Sequence, residues 1–337
     1  MKKMIQGKQF LYIIGAERSG TTWLQAMLGA HPAVCTQGEL HLFIHYVIPW
    51  MNSWELQMGM RQSGIFDGLP MVWSQEEFHA FLREFLRQAY DKVLSAKPGA
   101  SIILDKDPGN AMYTDLIDRL IPNAKFIHII RDGRDVSASL LAASKGWGSI
   151  WAPRDIESAA KSWKKFVLGA KKASGYTDRY MEVRYEDFLT NGPETLKTVF
   201  DFVGIQASPE EITEIYDNHR IDKMRQKKAV TSKFPLPEGF LRKGKSGDWR
   251  ESLRPAERYL FQATAGDLLS ELGYAKDSWW TQKWHERFTL PLLSAVLAPG
   301  GFRRKAGLAA RFFLGSGLSR RIRVTGTLLM RRGAQTN

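Results

Sequence analysis

The amino-acid sequence predicts an α/β fold, a single three-layer domain with a mostly parallel central sheet. Three observations support this class. Short apolar runs rich in β-branched residues alternate with segments of helical periodicity. A glycine-bounded turn joins the first apolar run to the first helical segment. Polar and charged residues follow directly after three of the apolar runs, which is where open α/β sheets bind their ligands.

Four apolar runs have the length and composition of buried strands, at residues 10–14, 101–104, 126–130 and 180–185. Between and after them we predict helices at 22–28, 76–96, 111–120, 135–144, 156–173, 193–202, 209–216 and 255–272. The clearest helix is 76–96, because its large apolar residues recur at spacings of three and four. Strands that alternate with helices favour parallel pairing with helices on both faces.

The charge of the chain is concentrated near its C-terminus. Of a formal net charge of +13, ten charges come from the segment that begins at Arg287, which has ten Lys or Arg and no Asp or Glu. This segment also carries large apolar residues between its arginines, a pattern that suits an anionic membrane surface. We therefore expect a catalytic domain at 1–285 and a basic, apolar-interleaved extension at 286–337, which either contacts a membrane peripherally, binds a partner or is solvated.

Several classes of function are disfavoured by the composition. The single cysteine, Cys35, allows no internal disulfide and fits a reducing compartment. No metal-ligand spacing is recognisable, no apolar leader precedes the first strand, and no apolar run is long enough to span a bilayer. We expect a cytoplasmic protein without a metal, and no nucleic-acid partner because residues before the extension are close to neutral.

The turn after the first strand predicts an anion site. Gly15, Gly20 and Thr22 match the nucleotide P-loop pattern G-x-x-x-x-G-K-[ST], so the domain is expected to be P-loop NTPase-like. Backbone N–H groups of such a turn converge near a positive helix N-terminus. The P-loop lysine is replaced by Thr21, and Arg18 is the cation of the loop. We expect a phosphate here, held differently from that of an ATPase.

Two further strand ends carry charged residues at the same expected rim. One ends in Asp105-Lys106-Asp107-Pro108 and the other in Arg131-Asp132-Gly133-Arg134-Asp135. A loop that binds an anion, together with several cations that converge on the same rim, fits a nucleotide that is phosphorylated at two positions.

These motifs together resemble the sulfotransferases that use 3′-phosphoadenosine-5′-phosphosulfate (PAPS). The first loop is similar to their 5′-phosphosulfate loop, and Arg131 with Ser139 eight residues later is similar to their 3′-phosphate motif. The run 242–249, Arg-Lys-Gly-Lys-Ser-Gly-Asp-Trp, resembles their late R-K-G-x-x-G-D-W motif, and Tyr185 lies in a segment that looks like their adenine-side tyrosine segment. The four motifs occur in family order over residues 10–250.

The resemblance implies roles for individual residues. Arg18 and Lys106 would stabilise the transferring group and the leaving 5′-phosphate. The residues implied in co-substrate binding are Arg18, Ser19, Gly20, Thr21, Thr22, Trp23, Arg131, Ser139, Tyr185, Arg242, Lys243 and Gly244.

An acceptor hydroxyl also needs a general base. The position two residues after Lys106, where cytosolic family members place a histidine, is Pro108. The protein-tyrosine sulfotransferase branch instead places a glutamate about twenty residues after the loop arginine, and Glu39 lies at that spacing. We therefore predict Glu39 as the base, with His41 as the second candidate and His45 as the third.

The predicted function is sulfuryl transfer from PAPS to a hydroxyl or amine of an acceptor. The acceptor is a small molecule or is lipid-linked, and we expect the tryptophans at 50, 54 and 73 to form its pocket wall or lid. Two alternatives remain at this point. One is an ATP-dependent kinase or NTPase, and the other is a non-catalytic, membrane-associated nucleotide-binding protein.

Overall fold

A five-stranded parallel sheet forms the centre of the protein in a computed structural model, which describes residues 6–65, 67–227, 229–231 and 234–275. The strand order is β2-β3-β1-β4-β5, and every neighbouring pair is parallel. The strands are β1 (Gln9–Ile14), β2 (Val34–Thr36), β3 (Ile102–Lys106), β4 (Lys125–Ile130) and β5 (Tyr180–Arg184). The predicted α/β class with a parallel sheet is confirmed. The sequence did not indicate β2, which is only three residues long.

Helices connect these strands and follow the sheet. In chain order the α-helices are α1 (Thr21–Ala30), α2 (Ile48–Gln62), α3 (Gln75–Leu94), α4 (Thr114–Leu120), α5 (Gly133–Ala143), α6 (Ile156–Lys171), α7 (Tyr185–Thr190), α8 (Gly192–Val203), α9 (Pro209–Asn218), α10 (Ile221–Lys227), α11 (Trp249–Ser252) and α12 (Pro255–Glu271). Short helical turns lie at Phe43–Val47, Leu69–Met71, Pro108–Met112 and Lys172–Arg179. A two-stranded antiparallel sheet pairs β6 (Ala229–Thr231) with β7 (Phe234–Pro235).

The two faces of the central sheet build two separate apolar cores. Successive side chains of a strand point to opposite faces. Tyr12 and Ile14 of β1 therefore belong to a core shared with α2, α3 and α4, whereas Leu11 and Ile13 belong to one shared with α1, α8 and α9. Helices thus cover both faces of the sheet, as the alternation of strands and helices predicted.

The register of the parallel strands brings the charged segments to one edge of the sheet. Ile13 lies beside Lys106 of β3, and Ile14 lies beside His128 of β4. The loop that follows β1 therefore lies between the residues that follow β3 and β4. Three segments that are far apart in sequence meet at this edge.

Two predicted elements differ from the structure. Tyr185 starts α7 instead of ending a strand, and the predicted helix at 111–120 is a 3₁₀ turn at Pro108–Met112 followed by α4. Asp107 caps this turn, since its carboxylate accepts a hydrogen bond from the N–H of Gly109 at 2.8 Å. The cap starts the helical turn earlier than the apolar pattern alone indicated.

The chain divides into two compact units, with the boundary after Trp249. In the second unit, the described residues include α12, whose first turn is capped by an ion pair between Arg254 and Glu257. The predicted boundary at 285 and the basic extension at 286–337 lie outside the described residues. Among the described helices, none has the length and hydropathy needed to cross a membrane.

Candidate active site

The loop between β1 and α1 has a conformation that depends on glycine. Gly15 and Gly20 have φ values of 137° and 101°. A Cβ atom at Gly20 would lie 2.6 Å from Cδ2 of Tyr185, and one at Gly15 would lie 2.5 Å from the carbonyl oxygen of Ile129. Larger residues would strain the backbone and meet fixed atoms at both positions. The loop is therefore packed directly against β4 and α7.

The helix α1 begins at this loop without a side-chain cap. Its N-cap residue is Gly20, and no side chain accepts a hydrogen bond from the first turn. The first turn also has no acidic residue. Its N–H groups and the positive end of the helix dipole are therefore available to an anion.

A pocket lies at this helix N-terminus and is lined by several separate segments of the chain. Five parts of the chain contribute, and the lining residues are Arg18, Gly20, Thr21, Thr22, Trp23, Arg131, Ser139, Tyr185, Ile221, Phe240, Leu241, Arg242, Lys243, Gly244 and Lys245. Every residue that the sequence analysis assigned to co-substrate binding is in this set except Ser19. Ser19 is fully buried, and its hydroxyl has no hydrogen-bond partner among the described residues.

Arg18 connects the first loop to two other parts of the pocket. Its Nε donates a hydrogen bond to Oγ of Ser139 at 3.2 Å, and its Nη2 donates one to the carbonyl oxygen of Phe240. The guanidinium carbon lies 5.2 Å from the ring centre of Trp147 and 4.6 Å from that of Phe240. Burial, with Arg131 nearby, lowers the pKa of Arg18 to about 10, so the side chain remains a cation at neutral pH.

Arg131 is held in place by a ring and two carbonyl groups. Its guanidinium carbon lies 4.1 Å from the ring centre of Tyr185. Its two terminal nitrogens donate hydrogen bonds to the carbonyl oxygens of Arg18 at 3.2 Å and Lys245 at 3.1 Å. Its Nε is buried and has no partner among the described residues. A fixed guanidinium at this position can receive an anionic group without reorganisation.

Asp135 fixes the late glycine-containing loop, a role that the sequence analysis missed. Its carboxylate accepts hydrogen bonds from the backbone N–H groups of Gly247 and Trp249, each at 2.8 Å. Burial raises the pKa of Asp135, whereas Arg131 and these two N–H groups lower it. In the sequence, Asp135 lies in a run of charged residues, and such runs commonly form surface ion pairs.

The aspartate that follows Gly247 neutralises the loop cations. Asp248 is buried, and it forms ion pairs with Arg242 and, at 2.6 Å, with Lys243. Its carboxylate thereby orders two basic side chains beside Gly244 at the pocket.

The predicted base and the second cation are in direct contact. Lys106 is buried, and its ammonium group donates hydrogen bonds to Oε1 of Glu39 and, at 3.1 Å, to Oγ1 of Thr22. Glu39 is exposed on its other side. A single ammonium group therefore links the hydroxyl of Thr22, in the first turn of α1, to the carboxylate of Glu39.

His41 lies beside the same carboxylate but is bound to another. Its Nδ1 is 2.9 Å from Oδ2 of Asp107, and its Nε2 is 3.7 Å from Oε2 of Glu39. The hydrogen bond to Asp107 is the main cause of a raised His41 pKa, which partial burial opposes. The ligand atoms of Glu39, His41 and Asp107 lie within 4.8 Å of one another, a spacing that a metal ion could bridge. Within the protein, Glu39 already pairs with Lys106, and Asp107 is hydrogen-bonded to His41.

A second cavity of about 400 Å³ adjoins the first pocket and shares Arg18, Thr21, Thr22 and Phe240 with it. Its remaining lining residues are Glu17, Glu39, His41, Ile44, His45, Asp107, Pro108, Gly109, Trp147, Trp151 and Phe166. All three candidate bases thus face this cavity. Lys106 is not among its lining residues, because it lies buried behind Glu39.

The aromatic wall of this cavity was not the one expected. Trp50 and Trp54 line a separate cavity between α2 and α3, and Trp73 packs against Phe81 with ring centres 5.7 Å apart. The wall comes instead from Trp147 and Trp151, which follow α5, together with Phe166 of α6 and Phe240. No periodicity connects these residues, so only the tertiary fold could identify them.

Glu17 is a further charged residue of this cavity that the sequence analysis did not single out. Its pKa is raised to about 7, chiefly by burial and then by the negative charges of Glu39 and Asp107, against the opposing effect of Arg18. At this carboxyl group, the positive charge of Arg18 does not compensate for burial and for the neighbouring negative charges.

Comparisons with known proteins agree with the predicted family. A family model described as "Sulfotransferase family" matches residues 11–209. Protein-tyrosine sulfotransferase 2 of Gallus gallus is 26% identical over 205 residues, which are 59% of this chain and 52% of that protein. The chain thus spans about half the length of this curated relative.

Solved structures support the fold. The sulfotransferase domain from the curacin biosynthetic pathway has a TM-score of 0.54 at 19% identity, covering 80% of this chain and 98% of that one. A mouse sulfotransferase complexed with PAP has a TM-score of 0.52 at 14% identity, covering 82% and 90%. At these identities the likeness concerns the fold.

Proposed function

Because this chain belongs to the sulfotransferase family, we propose that it transfers the sulfuryl group of PAPS to a hydroxyl or amine of an acceptor. The observation that carries the proposal is the junction of the two cavities at Arg18, Thr21 and Thr22. One cavity has cations for a nucleotide with two phosphate sites, and the other contains the candidate bases. A mouse protein of the same fold was solved with PAP, the product that PAPS leaves.

The first loop and α1 bind the 5′-phosphosulfate in this proposal. The uncapped N–H groups of the first turn and the hydroxyls of Thr21 and Thr22 supply hydrogen bonds, and Arg18 supplies charge. Ser19 has no polar contact with the pocket and supports the turn from inside.

Arg131, Ser139, Arg242, Lys243 and Gly244 bind the 3′-phosphate in this proposal. They surround the same pocket from β4, α5 and the late loop. Tyr185 stacks on Arg131 and supports the adenine side. Since these groups are fixed by Asp135 and Asp248 before a ligand arrives, little conformational entropy is lost on binding.

The transfer itself is an in-line displacement. A bond forms between the acceptor oxygen and sulfur, and the bond between sulfur and the 5′-phosphate oxygen breaks, so that PAP leaves with the electron pair. Arg18 and Lys106 stabilise the negative charge that develops on the leaving oxygen. The acceptor proton passes to Glu39, whose carboxylate faces the acceptor cavity.

Glu39 is preferred to His41 as the base for an electrostatic reason. The hydrogen bond from His41 to Asp107 raises the pKa of the imidazole. A histidine that stays protonated to higher pH is a poorer proton acceptor near neutrality. Nε2 of His41 lies 3.7 Å from Oε2 of Glu39, so the imidazole places positive charge beside this carboxylate when it is protonated.

The proposal is tested by the nucleotide selectivity of the protein. PAP is expected to raise the melting temperature, because a ligand that binds only the folded state stabilises it. Adenosine-5′-phosphosulfate and ATP are expected to raise it much less, since neither has a 3′-phosphate. Equal shifts with all three would contradict the assignment of the 3′-phosphate residues. Mg²⁺-dependent ATP turnover would revive the kinase alternative, which the family match does not favour.

The proposal also covers the partners of the chain. The acceptor is a small molecule or is lipid-linked, and the basic extension at 286–337 contacts an anionic membrane surface. Exposed apolar side chains on α2 and the turn after it, including Leu56 at 67% and Val72 at 74% exposure, support an apolar partner.

The chain is expected to float with vesicles that contain anionic lipid and not with neutral ones. A variant with Arg303, Arg304 and Lys305 changed to serine should float less, and equal flotation would contradict membrane contact.

A further inference from the structure

The acceptor cavity has an aromatic wall and several carboxylates, which differ in whether they have a hydrogen-bond partner within the protein. Its volume of about 400 Å³ suits a small molecule or one arm of a larger one. Three carboxylates line it, those of Glu17, Glu39 and Asp107. Two of them have partners within the protein. Asp107 is bound by His41 and the N–H of Gly109, and Glu39 is bound by Lys106.

Glu17 differs from the other two carboxylates. No hydrogen bond or ion pair joins its side chain to any residue in the part of the chain that the structure describes. Arg18 is the neighbouring cation, but its guanidinium group is engaged by Ser139, the carbonyl of Phe240 and two rings. Glu17 therefore lies half-buried on the cavity wall, and its carboxylate has no partner among the described residues.

The surroundings of Glu17 favour a positive charge in the cavity. Burial and the nearby Glu39 and Asp107 both disfavour its ionised form. An incoming cation would reverse this effect, because an opposite charge within about 4–6 Å stabilises a carboxylate. Trp147 and Trp151 line the same cavity and give it aromatic surface, on which the apolar carbons of an acceptor can pack. An anionic acceptor would meet three carboxylates instead.

We propose that the acceptor carries a protonated amine or guanidinium group that pairs with Glu17 while its hydroxyl lies at Glu39. This inference rests on the proposed function, because it names the substrate class of that same site. Glu17 acts here as a specificity residue that orients the acceptor, and the bond changes of the transfer are those already given. The aromatic wall holds the apolar body of the acceptor between its two polar ends.

The test uses three phenols that share a two-carbon arm and differ in the group at its end, since the relative found by comparison is named for tyrosine. The probes are tyramine, 4-ethylphenol and 3-(4-hydroxyphenyl)propionate, which are cationic, neutral and anionic. Binding to the PAP-saturated protein is measured by calorimetry. We expect tyramine to bind at least about tenfold more tightly than 4-ethylphenol, and the propionate to bind most weakly. Equal affinities, or failure of tyramine to bind, would overturn the inference.

Variants separate Glu17 from a general effect of charge. Glu17→Gln should bring the affinities of tyramine and 4-ethylphenol to within about twofold of each other, and Glu17→Asp should keep part of the preference. Glu157→Gln, which removes an exposed carboxylate on α6, should keep all of it. PAP affinity and melting temperature are measured for each variant to verify folding. A tyramine preference that survives in Glu17→Gln would contradict the assignment.

The outcomes also separate this inference from the proposed function. If PAP fails to stabilise the wild-type protein, the proposed function fails. If PAP stabilises it but the charge of the phenol arm has no effect, only the inference about the acceptor fails.

Discussion

The ammonium group of Lys106 donates hydrogen bonds to both the carboxylate of Glu39 and the hydroxyl of Thr22. Lys106 thus connects residues of the two cavities, because Thr22 lines both cavities and Glu39 lines the acceptor cavity. In the proposed reaction, the group that assists departure of PAP thus touches the group that accepts the proton.

Glu39→Gln is expected to lower kcat by about 10²–10⁴-fold, because the amide cannot accept the acceptor proton. The affinity for PAP should change little, since Glu39 lies outside the donor pocket. Transfer of ³⁵S from labelled PAPS measures the rate, and Glu157→Gln is the matched control. Unchanged turnover would remove Glu39 from the mechanism and turn attention to His41 and His45.

Arg131→Lys is expected to weaken PAP binding by at least about tenfold. A lysine keeps the charge but cannot stack on Tyr185 and reach two carbonyl groups with a planar fork. Calorimetry with PAP measures the loss. Arg179→Lys is a close control, because Arg179 also lies over a ring, at 4.8 Å from Tyr176, and donates to a carbonyl oxygen. If both variants bound PAP equally well, Arg131 would not be a phosphate ligand.

Asp135→Asn is expected to weaken PAP binding through the late loop and to lower the free energy of unfolding by about 1–3 kcal/mol. The N–H groups of Gly247 and Trp249 bind different oxygens of the Asp135 carboxylate, so the single amide oxygen of asparagine can accept only one of them, and the amide NH₂ group faces the other N–H. Urea unfolding and PAP titration measure the two effects. Asp155→Asn should lower stability without lowering PAP affinity, because that aspartate caps α6, away from the pocket. Normal PAP affinity in Asp135→Asn would show that the loop does not depend on this anchor.

The stability difference between the wild type and His41→Gln is expected to depend on pH. Since the folded-state pKa of His41 is raised, its contribution is fully present below the unfolded value of 6.5 and is lost as pH rises through the folded pKa. Urea unfolding should therefore give a larger difference at pH 5.5 than at pH 9.

Asp107 is the named source of this effect, and a second background tests it. Asp107→Asn removes the main cause of the raised pKa but keeps an oxygen that can accept from Gly109. In that background, His41→Gln should give a difference that varies little with pH. A difference that instead grows from pH 5.5 to pH 9 in the parent background would have the wrong sign and would contradict the assignment.

Much of the donor pocket was predictable because its residues lie in short local motifs. A strand, a glycine turn and a helix start within fourteen residues define the loop that contains Arg18, and sequence spacing alone connects Arg131 to Ser139. Asp135 was visible but was not recognised, since its partners Gly247 and Trp249 lie more than a hundred residues later. The binding roles of all these residues remain predictions that the experiments above address.

The sequence by itself determined the fold class and the family, and it located segments that line one pocket at the start of α1, because local periodicity and motif spacing are properties of neighbouring residues. Only the tertiary structure decided what faces the acceptor. Glu17, Trp147 and Phe240 come from three segments with no common sequence pattern, and they line one cavity only in the folded chain. The contact of Lys106 with Glu39 likewise spans 67 positions and depends on the pairing of β2 with β3. Long-range proximity is set by how the sheet assembles, and a linear pattern does not contain it.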